Sequence, residues 1–139
     1  LVANLIMNYI STKAVLEEGP LKEKHMAFLR QSIREVIDLF KEKSYAMWDG
    51  VVKDQMAKSK GFKEHYIQDV LVNTAGVAGC EMVRRTVGFA HVKDLDSIPN
   101  DEKRIQAKKD NLSLAKVLVK NRHEIVTGEA YLELIEKYL

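Results

Sequence analysis

LKEKHMAFLRQSIREVIDLFKEKSYAMWDGVV, residues 21–52, decides the fold class. Leu21, His25, Phe28, Leu29, Ile33, Val36, Ile37 and Phe40 recur at i, i+3 and i+4 spacing, and Met47, Trp48, Val51 and Val52 continue the series. Residues three and four apart share one face of a 3.6-residue helix, so the spacing predicts a long amphipathic helix. A strand needs strict alternation at period two, and the chain shows none.

On either side the punctuation agrees. Glu17-Glu18-Gly19-Pro20 is a breaker, and Ser97-Ile98-Pro99-Asn100 is a second; together they hold both prolines. Leu5, Ile6 and Tyr9 suggest a short opening helix. Ser59-Lys60-Gly61-Phe62 reads as a stop and restart. A helix from about Lys63 to Thr86 then carries Ile67, Val70, Leu71, Thr74, Ala78, Met82 and Val83. Gly88 suits the position just past its end, and a loop of about ten residues follows. Asn100 can cap the next helix, with Asp101 and Glu102 near its positive end. Ile105, Leu112, Ala115, Val119 and other apolar residues give that helix its expected core face, and Thr127 can cap a last helix holding Tyr131, Leu132 and Ile135. The expectation is an all-α chain of roughly four to six helices, without repeats or low-complexity segments.

A length of 139 residues fits one domain and buries a real core. The apolar fraction is 46% and the charged fraction 30%, the balance of a globular chain and not of a disordered one. Net charge is +2, and the lysines alternate with acidic residues, so no nucleic-acid stripe forms. Aromatics occur singly and make no base-stacking platform. Cys80 is alone, so it forms no internal disulfide. It lies in an apolar run and is expected to be a small buried core residue in a reducing cytoplasm. No apolar run approaches the ~18–20 residues of a membrane span. Residues 1–10 are apolar but have neither a basic region before them nor a small-residue cleavage site after them. The first residue is Leu, and the chain is expected to begin within a longer polypeptide.

Several catalytic and metal motifs fail on position. There is no phosphate-binding G-x-x-x-x-G-K-[ST] loop. His123-Glu124 opens like a zinc-protease helix, but Thr127 stands where the second His belongs. Asp94 and Asp96 open like a calcium loop, but Pro99 replaces the turn glycine and Ile105 the closing carboxylate. His91 and Asp94 are wrongly spaced for a kinase catalytic loop. The four histidines are scattered, and no metal ligand is assigned.

Two features remain. Ala75-Gly76-Val77-Ala78-Gly79-Cys80 places two glycines inside a helix, each costing about 1 kcal/mol relative to alanine. That cost implies close approach of another backbone, most simply a packed helix. Arg84 and Arg85 then stand side by side in the last turn. Neighbours on a helix diverge by about 100°. In one reading Glu81 pairs with Arg84 at i+3 or Arg85 at i+4, for about 0.2–0.5 kcal/mol, and the charges suit the helix C-terminus. In the other, one or both guanidiniums project toward an oxygen-rich ligand, which a planar fork of donors suits better than a lysine does.

DVLVNTAGVAGCEMVRRTVGFAHVKDLDSI, residues 69–98, resembles the C-terminal region of the methylthioribose kinases. The glycine–alanine run, the paired arginines, Gly-Phe-Ala-His-Val and Asp-x-Asp-Ser-Ile keep the family's order and spacing. ANLIMNYIS, residues 3–11, resembles the segment that follows the family's acidic metal motif. MWDGVV at 47–52 and the helix at about 101–122 fit less specifically, and the resemblance fades after residue 113. It implies that residues 1–139 are the helical portion of the C-terminal lobe of a protein-kinase-like fold. It implies further a whole enzyme that phosphorylates the 1-hydroxyl of 5-methylthioribose with ATP and magnesium. The family's glycine-rich loop, ATP-positioning lysine, His-Gly-Asp segment and metal motif all precede these residues. The chain is therefore expected to hold no catalytic residue, to bind neither ATP nor magnesium, and to be inactive alone. The family's sugar-binding arginine pair aligns with Arg84 and Arg85. The resemblance further implies a homodimer, while the charge pattern, the lengths of the apolar runs and the lone cysteine lead to the expectation of a cytoplasmic protein that engages neither nucleic acid nor membrane. Two alternatives stay open: a related kinase of the aminoglycoside or choline type, and an autonomous all-helical interaction domain. A broad exposed apolar face would favour a fragment over the autonomous domain.

Overall fold

The computed structural model describes residues 1–89 and 93–139, and every regular element among them is helical. The fold is thus all-α, as the spacing predicts. Residues 90–92, which include His91 and part of the Gly-Phe-Ala-His-Val match, lie outside the described residues.

Helix α1 spans Val2–Val15 and buries Ile6, Met7 and Ile10. The predicted breaker follows. Gly19 takes a φ of 153°, a backbone that favours glycine, and Pro20 opens α2 (Pro20–Val51), where its missing N–H costs nothing. α2 has 32 residues but buries apolar side chains only at Leu29, Ile33 and Ile37. Leu21, Phe28, Met47 and Val51, expected on the core face, are exposed. The helix extends beyond the helices that cover its middle. Its far end is finished by Trp48, whose ring lies 6.2 Å from Phe62 and 5.4 Å from Tyr66.

The predicted stop at 59–62 is real. A 3₁₀ turn, Met56–Lys58, precedes Gly61, whose φ of 82° is left-handed, and α3 then runs Phe62–Val87. A short α4, Lys93–Asp96, buries Leu95 against α1 and the following helix. That helix is α5, Asp101–Lys120, capped as expected: Asn100 Oδ1 accepts from the Lys103 N–H at 2.9 Å. Thr127 likewise caps α6, Gly128–Tyr138, by accepting from the Ala130 N–H at 3.2 Å. α6 docks on α2 with almost no gap. The Gly128 N–H donates to Asp38 Oδ1 at 2.8 Å, and a Cβ on Gly128 would sit 2.6 Å from Arg34 Cα. Arg30–Glu136 and Arg34–Glu129 pairs flank the contact.

The longest seam joins α3 to α5. α3 contributes Leu71, Ala75, Ala78, Gly79 and Met82; α5 contributes Ala107, Asn111, Leu114, Ala115 and Leu118. This corrects part of the expected face of α5: Ala115 is buried as expected, and the other named residues are not. Ile105 is 54% exposed, and Leu112 and Val119 are only half-buried. The buried face of α5 mixes small residues, Ala107 and Ala115, with Leu114, Leu118 and the polar Asn111, so a choice of large apolar residues alone finds only part of it. Cys80 is corrected as well. The seam is centred on Ala75, Ala78, Gly79 and Met82; Cys80, one residue past Gly79, turns outward and is exposed.

Candidate functional site: the last turns of α3

Two tight fits hold the end of α3. At Gly79 a Cβ would lie 2.6 Å from the Ala115 carbonyl oxygen and 2.7 Å from Val119 Cγ2. Only glycine lets the two helices approach so closely. Gly76 differs: a Cβ there would meet only Arg122 Cδ, at 3.2 Å. The close backbone approach expected at the two glycines is real at Gly79 and absent at Gly76, where the only neighbour is a flexible side chain.

One turn further on the seam becomes polar. Asn111, fully buried on α5, donates through Nδ2 to Thr86 Oγ1 at 2.6 Å and to the Met82 carbonyl at 3.2 Å. Thr86 Oγ1 in turn donates to the Met82 carbonyl at 2.8 Å. This link pins the final turn of α3 to α5. The sequence reading missed it; the available signal was a polar residue set among Ala107, Leu114, Ala115 and Leu118. Gly88 ends the helix as expected, its N–H donating to the Arg84 carbonyl at 2.9 Å. Its backbone is extended, with φ −77°, rather than left-handed, and a Cβ there would overlap the Arg84 carbonyl oxygen.

Arg84 and Arg85 project from this pinned turn, and Glu81 meets both. Arg84 donates through Nε to Glu81 Oε2 at 2.8 Å and through Nη2 to Oε1 at 2.7 Å. Arg85 donates through Nε to the same Oε1 at 2.6 Å. The i+3 and i+4 pairings thus form together. The side chains of Arg84, Glu81 and Arg85 are 55%, 29% and 21% exposed. Hydrogen bonds from Arg84 first and Arg85 second pull the Glu81 carboxyl down to about 2, against a small opposing effect of burial. Arg84 is raised in return by the same carboxylate. The group is one fixed anion and two cations. Nη1 of Arg84 and both terminal nitrogens of Arg85 donate no hydrogen bond among the described residues.

Glu81 also stands at the rim of an apolar cleft of about 480 Å³, lined by Leu1, Val36, Phe40, Val70 and Val77. This cleft is continuous, through Leu1, Val36, Phe40 and Val70, with a groove of about 960 Å³ between α2 and α3. Met47, Val51 and Tyr66 line the groove and are exposed. Among the described residues no three His, Cys, Asp or Glu side chains gather where they could hold a metal ion. No helix among the described residues is long and apolar enough to cross a membrane.

No family model matches the chain. Individual proteins do. The chain is 39% identical over 119 residues, 86% of its length, to a methylthioribose kinase of Bacillus cereus (strain 03BB102). It is 38% identical over 120 residues to that of Bacillus cereus (strain AH820), and 38% over 119 residues to that of Bacillus thuringiensis (strain Al Hakam). It spans 28% of the length of each of these relatives. A match over 119 of 139 residues necessarily spans positions 84 and 85.

Proposed function

We propose that this chain, a homologue of the methylthioribose kinases over 86% of its residues, supplies one wall of a sugar-binding cleft through Arg84 and Arg85. Residues 1–139 are read as the helical, C-terminal part of a kinase-like C-lobe. The nucleotide loop and the catalytic groups stand on other parts of the polypeptide. The complete enzyme transfers a phosphoryl group from ATP, with magnesium, to the 1-hydroxyl of 5-methylthioribose, and works as a cytoplasmic homodimer. Phosphoryl transfer depends on positioning and on neutralising charge. Guanidiniums suit both: they donate to ribose hydroxyls and stabilise charge as the phosphoryl group arrives.

The observation that carries this reading is the arginine pair with unspent donors, fixed at the end of a helix that Gly79 and Asn111 seat rigidly. The open groove supports it further. Phe40, Met47, Val51 and Tyr66 leave apolar surface exposed along the groove between α2 and the start of α3, and the adjoining cleft carries it past Val77 to Glu81. A contiguous apolar surface of that kind favours a part of a larger protein over an autonomous helical domain. A related aminoglycoside- or choline-type kinase would share the lobe but prefer an amino alcohol to methylthioribose.

The test is steady-state kinetics of the full-length kinase that contains this chain. Loss of one charge-assisted hydrogen bond is worth roughly 1.5–3 kcal/mol. Arg84→Ala and Arg85→Ala should therefore each lower kcat/KM for methylthioribose by about 10- to 150-fold. Wild-type kinetics in both variants would overturn the assignment. The isolated chain, assayed alongside, should show no methylthioribose-dependent ATP turnover.

A further inference from the structure

We propose that Glu81 is a positioning residue, whose carboxylate gathers Arg84 and Arg85 by their inner nitrogens and leaves their outer nitrogens to a single oxygen-bearing ligand. The inference rests on the substrate-binding reading of the arginine pair and adds to it the group that makes two diverging side chains act as one.

Consecutive residues on a helix point about 100° apart. Two free arginines at such positions spread, because each guanidinium repels the other. Here one carboxylate at i−3 and i−4 draws both together. Oε1 accepts from Arg84 Nη2 at 2.7 Å and from Arg85 Nε at 2.6 Å, so one oxygen bridges the two guanidiniums. Oε2 takes Arg84 Nε at 2.8 Å and fixes the plane of that fork. Each guanidinium has five N–H donors. Arg84 has engaged its Nε edge and Arg85 only its Nε, and the outer nitrogens of both have no partner among the described residues. Arg84, at 55% exposure, forms the outer edge and Arg85, at 21%, the inner one.

The chemistry of the occupant follows. The three side chains carry a net charge of +1 and present only donors outward. A polyhydroxylated neutral sugar fits that array, and so does the added phosphoryl oxygen once it arrives. Preorganisation matters because immobilising a long side chain on binding costs roughly 0.5–1.5 kcal/mol, and Glu81 removes that cost from two of them.

The experiment is initial-rate kinetics of the full-length kinase containing this chain, with methylthioribose and ATP varied separately. The variants are Glu81→Gln, Glu81→Asp, Arg85→Ala and the Glu81→Gln/Arg85→Ala double. Glu81→Gln keeps the shape and removes the charge. It should raise the methylthioribose KM about tenfold and leave the ATP KM unchanged. Glu81→Asp, with a shorter reach, should fall between. With Arg85 already gone, Glu81→Gln should cost clearly less than it does alone, because half of what it positions is absent. Wild-type kinetics for Glu81→Gln beside an impaired Arg85→Ala would overturn the role of Glu81 and leave the sugar site standing. Equal losses from Glu81→Gln in both backgrounds, with both KM values moved, would reduce Glu81 to a structural residue. Normal kinetics in Arg85→Ala here, together with normal kinetics in the Arg84→Ala variant of the preceding test, would instead remove the reading beneath.

Discussion

Gly79→Ala and Gly76→Ala should move stability in opposite directions, though the two glycines lie three residues apart on one helix. Either substitution gains about 1 kcal/mol of helix propensity. At Gly76 nothing opposes the gain except Arg122 Cδ at 3.2 Å, part of a flexible side chain that can swing aside. At Gly79 the new methyl would stand 2.6 Å from the Ala115 carbonyl oxygen and 2.7 Å from Val119 Cγ2, well inside contact distance. A backbone carbonyl within α5 cannot step back alone, so the whole α3–α5 seam must open. Overpacking of this kind costs roughly 1–3 kcal/mol, and a backbone obstacle puts it near the top of that range. The net effect is a loss of about 1–2 kcal/mol for Gly79→Ala and a gain of up to about 1 kcal/mol for Gly76→Ala. With an unfolding entropy near 2.1 cal/mol/K per residue, these become roughly 3–7 °C lower and up to about 3 °C higher in Tm. Parallel calorimetric melts of the chain read both. A Gly79→Ala protein melting at or above wild type would refute the close-approach argument, as would equal drops in both variants.

The arginine variants are expected to lose 10- to 150-fold in kcat/KM in the full-length kinase, and Glu81→Gln about tenfold in sugar KM, as set out above. Asn111→Ala removes the donor to Thr86 and to the Met82 carbonyl, and should cost about 1–3 kcal/mol in urea unfolding; an unchanged midpoint would show that this link holds nothing. Cys80 is the chain's one thiol and is exposed, so one equivalent should react with a thiol reagent in the native protein; reaction only after denaturant would return it to the core.

Periodicity read the helices well because their boundaries are local events. Pro20, Asn100 and Thr127 act through their own backbone or a neighbour three residues on, and each stands where the sequence places it. Faces are harder, because they depend on which partner helix arrives. Leu21 and Phe28 are exposed because they lie about 100° around α2 from the buried Leu29, and Met47 is exposed although it shares the face of Leu29, about five turns further along. Ile105 is exposed and Ala107 buried because the face of α5 that meets the other helices runs through Ala107, Asn111, Leu114, Ala115 and Leu118. Cys80 follows the same logic, one step around the helix from the glycine that sets the contact.

The arginine pair shows where the two sequence readings cease to compete. A salt bridge to Glu81 and a ligand-facing role look exclusive when each guanidinium is treated as a single charge. They are compatible once its five donors are counted separately. Glu81 engages the inner edges, and the outer nitrogens remain. The small residues upstream then have a functional consequence that composition alone does not suggest. Rigid seating at Gly79 and the buried Asn111–Thr86–Met82 link fix the turn, and Glu81 fixes the side chains upon it. A site assembled from long, flexible arginines can be precise only if both layers hold. Loosening either the seam or the carboxylate should therefore weaken the proposed sugar contact by independent routes.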